Sequence, residues 1–342
     1  MNKKERVQAA LLSKNIDRPP ISLWMNYPEV DQNPLSLAKA HIAFQEKFDL
    51  DFIKLTPFDL YSVQDWGCQI QFFCQQDQNP AIYKYAIHNI NDWQKLEYLP
   101  PHVGSLGKQL LLTKYVNQLI NPDVPFVQTI YSPLTIAYKL AGERLFDDLR
   151  QNPTIVHKAL EVIATTTIDF IKANIQHGAA GIFFATSCAK NNLLASDEYT
   201  EFARYYDFEV LRAARGGWFN TLHIHGHDIL FDELLDYPVH ALNWHDSYEY
   251  PPLRRARAMT DLCIIGGLDE AGPIVNGSPA QVIEEVSRFL TETNLTGVMV
   301  GPGCVTTTSN IPENNITATR LVVERYADKD IWKYLSMDSS SL

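Results

Sequence analysis

Short apolar segments recur along the chain, and longer stretches with helical spacing separate most of them. The short segments are rich in β-branched and aromatic residues and lack an alternation of polar and apolar positions. This pattern is typical of strands that are buried on both faces of a parallel sheet. Eight such strands are predicted: Pro20–Trp24, Phe52–Thr56, Phe126–Ile130, Gly181–Ala185, Asn220–Ile224, Ala241–His245, Cys263–Gly267 and Gly297–Gly301.

The helical stretches between these strands include Pro153–His177 and Pro279–Thr291, in which apolar residues recur every third or fourth position. Ser278 before the second stretch and the proline at its first position both mark the start of a helix. Strands that alternate with helices predict an α/β fold, and eight strands in this order predict a closed (β/α)₈ TIM barrel. The functional site of such a barrel is expected at the carboxyl ends of its strands.

One connection is too long for a single helix. Within residues 58–124, between the second and third strands, CQIQFFCQQ and AIYKYAIHN flank the turn-rich DQNP, which predicts a β-hairpin, and NDWQKL then predicts the start of a helix. We expect this insertion to be either a lid or pocket wall on the catalytic face, or a surface decoration. Because no linker or internal repeat is present, residues 1–342 are expected to form one barrel domain with a polar tail at 336–342.

Composition and charge narrow the range of partners. The chain has 46% hydrophobic and 20% charged residues, a formal net charge of -11 and no Lys/Arg-rich run, so nucleic acid is not expected to bind. No apolar h-region follows the basic start and no stretch is long enough to span a membrane. The five cysteines are scattered, which fits reduced thiols. We therefore predict a cytoplasmic protein without membrane association.

Two histidines close the fifth predicted strand, in Leu222-His223-Ile224-His225-Gly226. Side chains two positions apart on a strand share one face, so His223 and His225 should both point into the barrel mouth. Two imidazoles with this spacing are able to bind one metal ion. The alternative is a hydrogen-bonded pocket wall without a metal.

A cysteine follows the eighth predicted strand, in Gly301-Pro302-Gly303-Cys304. The two glycines and the proline predict a sharp turn that presents the Cys304 sulfur at the mouth. A thiolate beside two imidazoles would leave one position of a tetrahedral Zn²⁺ open, as in catalytic zinc sites. The alternative is a cysteine that packs as a small buried hydrophobe.

Polar residues also follow the other strands, where barrel enzymes carry their functional groups. The substrate-binding candidates are Asn26, Lys54, Thr56, Asp59, Thr186 and Asn243, the catalytic candidates are Tyr131, Asp246 and Asp269, and Ser132, Ser187 and His245 occupy similar positions. Asp246 and Asp269 could orient an imidazole of the histidine pair or act as acid or base. For each residue, capping of the following helix is the alternative role.

The chain resembles a known superfamily in four phrases that occur in the family's order: ERVQAALLSKNIDRPPISLW, LHIHG, NGSPAQVIEEV and GPGCVTTTSNIPENNITATRLVVER. This superfamily contains uroporphyrinogen decarboxylase and the zinc-dependent methylcobamide:coenzyme M methyltransferases. Both branches are single (β/α)₈ barrels, so the resemblance implies the same fold that the strand pattern predicts. It also implies that the protein is an enzyme.

The site motifs are closer to the methyltransferase branch, which binds zinc through His-x-Cys-Gly and Pro-Gly-Cys. The second motif is intact at Pro302-Gly303-Cys304, whereas His225 replaces the cysteine of the first. Zinc accepts either ligand, but a second neutral imidazole leaves the ion with more positive charge. The resemblance thus implies a Zn²⁺ cofactor, a small thiol or methylated metabolite as substrate, and a corrinoid, free or on a corrinoid protein, as possible methyl donor.

The decarboxylase branch is the alternative. Its Arg-rich phrase after the first strand, whose guanidinium groups pair with porphyrinogen carboxylates, corresponds here to a stretch from Trp24 to Glu29 without arginine. Its aspartate after the second strand falls at or beside Phe58, next to Asp59, and it has histidine at the position of Cys304. We therefore expect a methyltransferase-like enzyme; a metal-free decarboxylase of tetrapyrrole metabolism and a non-catalytic metabolite-binding barrel are the alternatives, and a homodimer is one candidate assembly.

Overall fold

The computed structural model describes residues 1–73 and 78–326. The turn of the predicted hairpin lies partly outside these residues, and the predicted polar tail lies entirely outside them. The extent of the domain over residues 1–342 therefore stays a prediction.

Nine strands lie in the described chain: β1 (Ile53–Leu55), β2 (Gln69–Gln71), β3 (Ala81–Lys84), β4 (Phe126–Tyr131), β5 (Gly181–Thr186), β6 (Thr221–Ile224), β7 (Ala241–Trp244), β8 (Cys263–Leu268) and β9 (Val298–Pro302). Seven of them form a curled parallel sheet in the order β1-β4-β5-β6-β7-β8-β9, and β2 and β3 form a separate antiparallel pair. Together with the surrounding helices, this sheet confirms the predicted α/β barrel.

The first predicted strand, Pro20–Trp24, is wrong as a strand. Ile21 makes a single parallel bridge with Val300 of β9, and its carbonyl accepts a hydrogen bond from the Asp51 amide before β1. The segment therefore fills the gap between β9 and β1 as extended chain. Two consecutive prolines, Pro19 and Pro20, lack the amide hydrogens that a longer ladder would need.

Helices connect the strands and cover the outside of the barrel. They are α1 (Lys3–Leu11), α2 (Pro34–Lys47), α3 (Gly104–Leu119), α4 (Pro133–Ala141), α5 (Arg144–Gln151), α6 (Pro153–Gln176), α7 (Ser196–Tyr199), α8 (Tyr205–Ala213), α9 (Leu253–Met259), α10 (Pro273–Asn276), α11 (Pro279–Glu292) and α12 (Glu313–Arg325). Both helices that the sequence predicted in detail, α6 and α11, are confirmed. Ser278 caps α11 through a capping box with Gln281.

Within the described residues, no helix is long and apolar enough to cross a bilayer.

The insertion after β1 contains the predicted hairpin, formed by β2 and β3. The predicted helix at NDWQKL is instead a 3₁₀ helix, Ile90–Lys95. Two prolines at 100 and 101 follow it, and because a residue before proline avoids the helical conformation, the α-helix begins only at Gly104. Asn79 at the end of the hairpin loop accepts a hydrogen bond of 2.6 Å from Asn26. The insertion thus contributes to the wall at the barrel mouth.

Side chains of alternate strand residues pack on opposite faces of the sheet, as parallel strands require. Phe183 and Ile265 point inward and pack with Trp24 in a cluster that fills the barrel. Their neighbours Phe184 and Ile264 point outward and pack in the larger cluster beneath the helices. The edge-to-face contact of Trp24 with Phe183, with ring centroids 5.6 Å apart, forms the floor beneath the mouth.

The amino end of the barrel is closed by buried ion pairs. Asp51, which is fully buried before β1, accepts hydrogen bonds from Arg6 at 2.7 Å, from Arg18 at 2.6 Å and from the Ile21 amide at 2.8 Å. Asp17 pairs with the opposite side of the Arg6 guanidinium. These contacts satisfy both Asp51 oxygens and join α1 to the start of the sheet.

Candidate metal centre at the barrel mouth

A cavity of about 470 Å³ opens at the carboxyl ends of the strands. Its floor is aromatic, formed by Trp24 and Phe183, and its walls carry polar groups from the loops after β1, β4, β6 and β9. This is the end of the barrel at which the sequence predicted the site.

His223, His225 and Cys304 meet in this cavity, each offering one donor atom within 4.8 Å of the other two. The Cys304 sulfur lies 3.7 Å from His223 Nε2 and 3.5 Å from His225 Nδ1. Zinc bonds of about 2.0 Å to nitrogen and 2.3 Å to sulfur place tetrahedral ligands roughly 3.5 Å apart. Both sulfur–nitrogen distances are therefore close to those that one tetrahedral zinc ion would require.

The register between β6 and β7 sets the orientation of the first imidazole, because it places His223 beside Asn243. The Asn243 amide nitrogen donates to two backbone carbonyls, those of Ile265 at 2.8 Å and Pro302 at 3.1 Å. Its oxygen is thereby turned toward His223 and accepts a 2.7 Å hydrogen bond from Nδ1. The proton of His223 is held on Nδ1, so the Nε2 lone pair faces the Cys304 sulfur.

Glycines make the close approach of the other two ligands possible. Gly226, directly after His225, has a φ of 104°, which favours glycine, and a Cβ there would lie 2.3 Å from the end of the Lys190 side chain, which would have to move. A Cβ on Gly303 would lie 2.8 Å from the Trp244 carbonyl oxygen. The turn before Cys304 can therefore pack closely against the end of β7, and this packing places the sulfur beside the two histidines.

Burial sets the charge of the three groups. It lowers the pKa of His223 well below its usual value and that of His225 to about 4, so both imidazoles are neutral at pH 7, as metal ligands must be. Burial also raises the pKa of the Cys304 thiol to about 12. Two neutral imidazoles and a thiol that loses its proton when a cation binds form a donor set that fits a borderline-soft cation such as Zn²⁺.

A third imidazole lies beside this group. The His245 ring centroid is 5.2 Å from that of His225, and the ring is buried. Its Nδ1 lies 2.5 Å from a Glu270 carboxylate oxygen that also accepts a hydrogen bond from Tyr248. Its Nε2 has no partner among the described residues. The sequence marked His245 only as a polar residue at a strand end, and it did not identify Glu270.

A second polar cluster on the cavity wall contains a carboxylate, an ammonium and a phenol. Lys139 of α4 donates to Asp59 Oδ1 at 2.6 Å, and Tyr131 donates to the same oxygen at 2.5 Å. The Lys139 ammonium also lies 3.6 Å from the centroid of the Tyr131 ring. The charge of Asp59 is thus compensated inside the wall. Nothing in the sequence pattern pointed to Lys139, which lies on a helix rather than at a strand end.

The structure divides the other predicted site residues into two groups. The residues lining the cavity are Asn26, Lys54, Thr56, Asp59 and Tyr131. Thr186 and Asn243 lie just beneath the lining, where the Thr186 carbonyl accepts a hydrogen bond from the His225 amide and Asn243 holds His223. Their assignments to substrate binding or catalysis stay predictions.

Asp246 and Asp269 do not line this cavity. Asp246 accepts a hydrogen bond from the Gly267 amide and faces a separate cavity of about 160 Å³, together with Glu285 of α11. Asp269 caps the following turn by accepting from the Ala271 amide. The amide of Asn243, rather than either aspartate, orients His223. A catalytic role for the two aspartates stays a prediction.

Comparisons with known proteins agree with this architecture. The model of the uroporphyrinogen decarboxylase (URO-D) family matches residues 2–326. A methyltransferase from Methanosarcina mazei has a similar structure, with a TM-score of 0.84 at 18% identity over 95% of this chain and 99% of that one. A B12-independent methionine synthase from a Shewanella species is less similar, with a TM-score of 0.56 at 11% identity, over 94% and 95% of the two chains.

Two kinds of curated relative match the sequence. The methylcobamide:CoM methyltransferase MtbA of Methanosarcina mazei is 23% identical over 322 residues, which cover 89% of this chain and 93% of the relative. A uroporphyrinogen decarboxylase of Hydrogenovibrio crunogenus is 21% identical over 330 residues, which cover 84% and 86%. Overall identity therefore separates the two branches only weakly.

Proposed function

The chain belongs to the uroporphyrinogen decarboxylase (URO-D) family, and from this membership and the site we propose that it is a zinc-dependent methyltransferase-like enzyme acting on a small thiol or methylated metabolite. The single observation that carries the proposal is the convergence of His223, His225 and Cys304 in the mouth cavity. The match to methylcobamide:CoM methyltransferases over most of the chain supports the same branch. By analogy with the substrate that their name gives, we propose a corrinoid, free or protein-bound, as methyl donor.

In this proposal the two imidazoles and the thiolate hold the zinc ion. Bound there, zinc would lower the pKa of a coordinated substrate thiol and keep it as a thiolate nucleophile at neutral pH. The protein's own part is to hold the ligands and to exclude water. Asn243 keeps the His223 lone pair directed at the site, and Trp24 and Phe183 provide an aromatic floor for the cavity.

One observation favours decarboxylation as a second candidate. Asp59 lines the cavity close to the position where the decarboxylase branch carries its aspartate. Against this, the described lining includes no arginine, and Lys139, one of its two lysines, is already paired with Asp59. A polycarboxylate substrate needs several charge-assisted partners, which this cavity does not offer.

Metal analysis of the purified protein tests the leading proposal. We expect about one zinc per chain in the wild type, loss of zinc in Cys304→Ala, and full zinc content in the matched control Cys188→Ala, whose thiol is buried elsewhere in the core. A wild type that fails to bind added zinc, or a Cys304→Ala variant that retains it, would refute the proposal. Conversion of uroporphyrinogen by metal-free protein would support the second candidate, and tight binding without turnover would favour a non-catalytic barrel.

A further inference from the structure

We propose that a second site, outside the barrel mouth, binds one hard divalent cation of the Mg²⁺ type through Asp246 and Glu285. These two residues line the separate cavity of about 160 Å³ that lies between the loop after β7, strand β8 and helix α11. The described linings of this cavity and of the mouth cavity have no residue in common. The proposal therefore does not depend on the zinc centre or on the reaction proposed above.

Both carboxylates have one oxygen that is hydrogen-bonded and one that is not. Asp246 is 7% exposed, and its Oδ2 accepts a 2.9 Å hydrogen bond from the Gly267 amide. Glu285 is 8% exposed, and its Oε1 accepts a 2.9 Å hydrogen bond from the Asp269 amide. Asp246 Oδ1 and Glu285 Oε2 are buried and have no hydrogen-bond partner among the described residues. Each of these oxygens has lost its hydration without a replacement, which a bound cation would supply.

The charges around the pair do not neutralise it. Burial raises the pKa of Glu285 to about 7 and that of Asp246 to about 8, and nearby acids add to both shifts, including Glu270 after β8. Asp269 adds further negative charge beside Glu285. Arg288 of α11 is the basic residue in the described lining, and it is exposed to water, which screens its charge. In the absence of a cation, protons therefore bind the two carboxylates near neutral pH.

The donor atoms select the class of ion. Hard cations prefer carboxylate oxygens, whereas the nitrogen and sulfur donors at the mouth suit zinc. Ser247 and Glu292 also line the cavity, but among the described residues no third acid, histidine or cysteine lies close enough to Asp246 and Glu285 to complete a shell of protein atoms. Mg²⁺ is commonly bound by one or two carboxylates and several waters, for which this cavity has room, and Ca²⁺ needs more protein ligands.

Manganese binding tests the proposal, because Mn²⁺ prefers the same oxygen ligands and its free form is counted by electron paramagnetic resonance. We expect purified wild type to bind about one Mn²⁺ per chain and Mg²⁺ to displace it. Glu285→Gln, which keeps the oxygen that accepts from Asp269, should bind Mn²⁺ at least about tenfold more weakly because a charged ligand is lost. Glu284→Gln removes the same charge from an exposed position of α11 and should bind as wild type. Cys304→Ala should also bind as wild type, since it alters only the mouth.

The affinity should also depend on pH, because the cation competes with protons for the two carboxylates. With pKa values of about 7 and 8, Mn²⁺ should bind at least about tenfold more tightly at pH 8 than at pH 6. A wild type that binds no Mn²⁺ at pH 8, equal affinity at both pH values, or binding that is lost in Cys304→Ala would overturn the proposal. Retention of wild-type affinity in folded Glu285→Gln would overturn it as well. Asp246→Asn is the second variant: loss of binding supports the proposal, and retention overturns it.

Discussion

The two ends of the barrel differ in whether a buried charged side chain has an ionic partner. Residues before and within β1 show both cases. Asp51, just before β1, has both oxygens satisfied by two arginines and a backbone amide. Lys54, within β1 on the side of the mouth, is equally buried and has no ionic partner among the described residues. Because a buried unpaired charge lowers stability, it is retained most readily where a ligand can complete it. The amino end thus pairs its buried charge, whereas the mouth keeps a buried charge without an ionic partner among the described residues.

The largest effect on stability is expected at the amino end. Asp51→Asn leaves two buried guanidinium groups without their shared carboxylate and should lower the free energy of unfolding by about 3–5 kcal/mol. Urea denaturation measures this change. The Asp17 carboxylate is 38% exposed, so the matched variant Asp17→Asn should lower the free energy of unfolding by about 1 kcal/mol or less. Similar losses in the two variants would contradict the assignment of Asp51 as the main stabilising charge.

At the mouth, the next largest effect is expected on metal affinity rather than on folding. Asn243→Ala removes the group that orients His223 and should weaken zinc binding about 10- to 100-fold. Competition with a chromophoric chelator provides the measurement. Asn26→Ala is the control, because Asn26 lines the same cavity but bonds to Asn79 instead of a ligand. Unchanged zinc affinity in Asn243→Ala would show that the hydrogen bond to His223 is dispensable.

A smaller effect is expected in the pH dependence of stability, from the separate cavity that Asp246 and Glu285 line. Burial raises the pKa of Glu285 to about 7 and that of Asp246 to about 8, well above their values in the unfolded chain. The folded state therefore binds more protons, and its stability should fall as the pH rises from about 5 to 8. Glu285→Gln should reduce this fall by roughly 1–2 kcal/mol, as measured by urea denaturation at each pH. Identical pH profiles for variant and wild type would exclude Glu285 as a cause.

The smallest effect on folding stability is expected for Lys54→Met. This variant tests directly whether the buried charge at the mouth differs from that of Asp51 in its contribution to stability. Methionine has a similar length and no charge to bury, so the ligand-free protein should be as stable as wild type or more stable, by up to about 1 kcal/mol. Thermal unfolding without added anions measures this. A clear loss of stability would mean that Lys54 is structural, like Asp51, and would remove the difference between the two ends.

Much of the architecture was predictable because it depends on local patterns. Strands such as β5 and β8 are buried on both faces, and their apolar runs predict their positions to within one residue. The prediction failed at Pro20–Trp24, where an apolar run resembles a strand but two prolines prevent a full ladder. It failed again at residues 90–95, where downstream prolines limit the helix to a 3₁₀ turn.

The sequence by itself determined that His223 and His225 share one face, because alternate residues of any strand do so. It also determined that a tight turn precedes Cys304. Only the tertiary structure decided that this sulfur, 79 residues from His225, comes within 3.5 Å of its ring, because closure of the barrel sets that distance. The partners Asn243 and Glu270 were likewise decided by strand register and loop packing, since contacts between residues far apart in sequence leave no periodic signal in the chain.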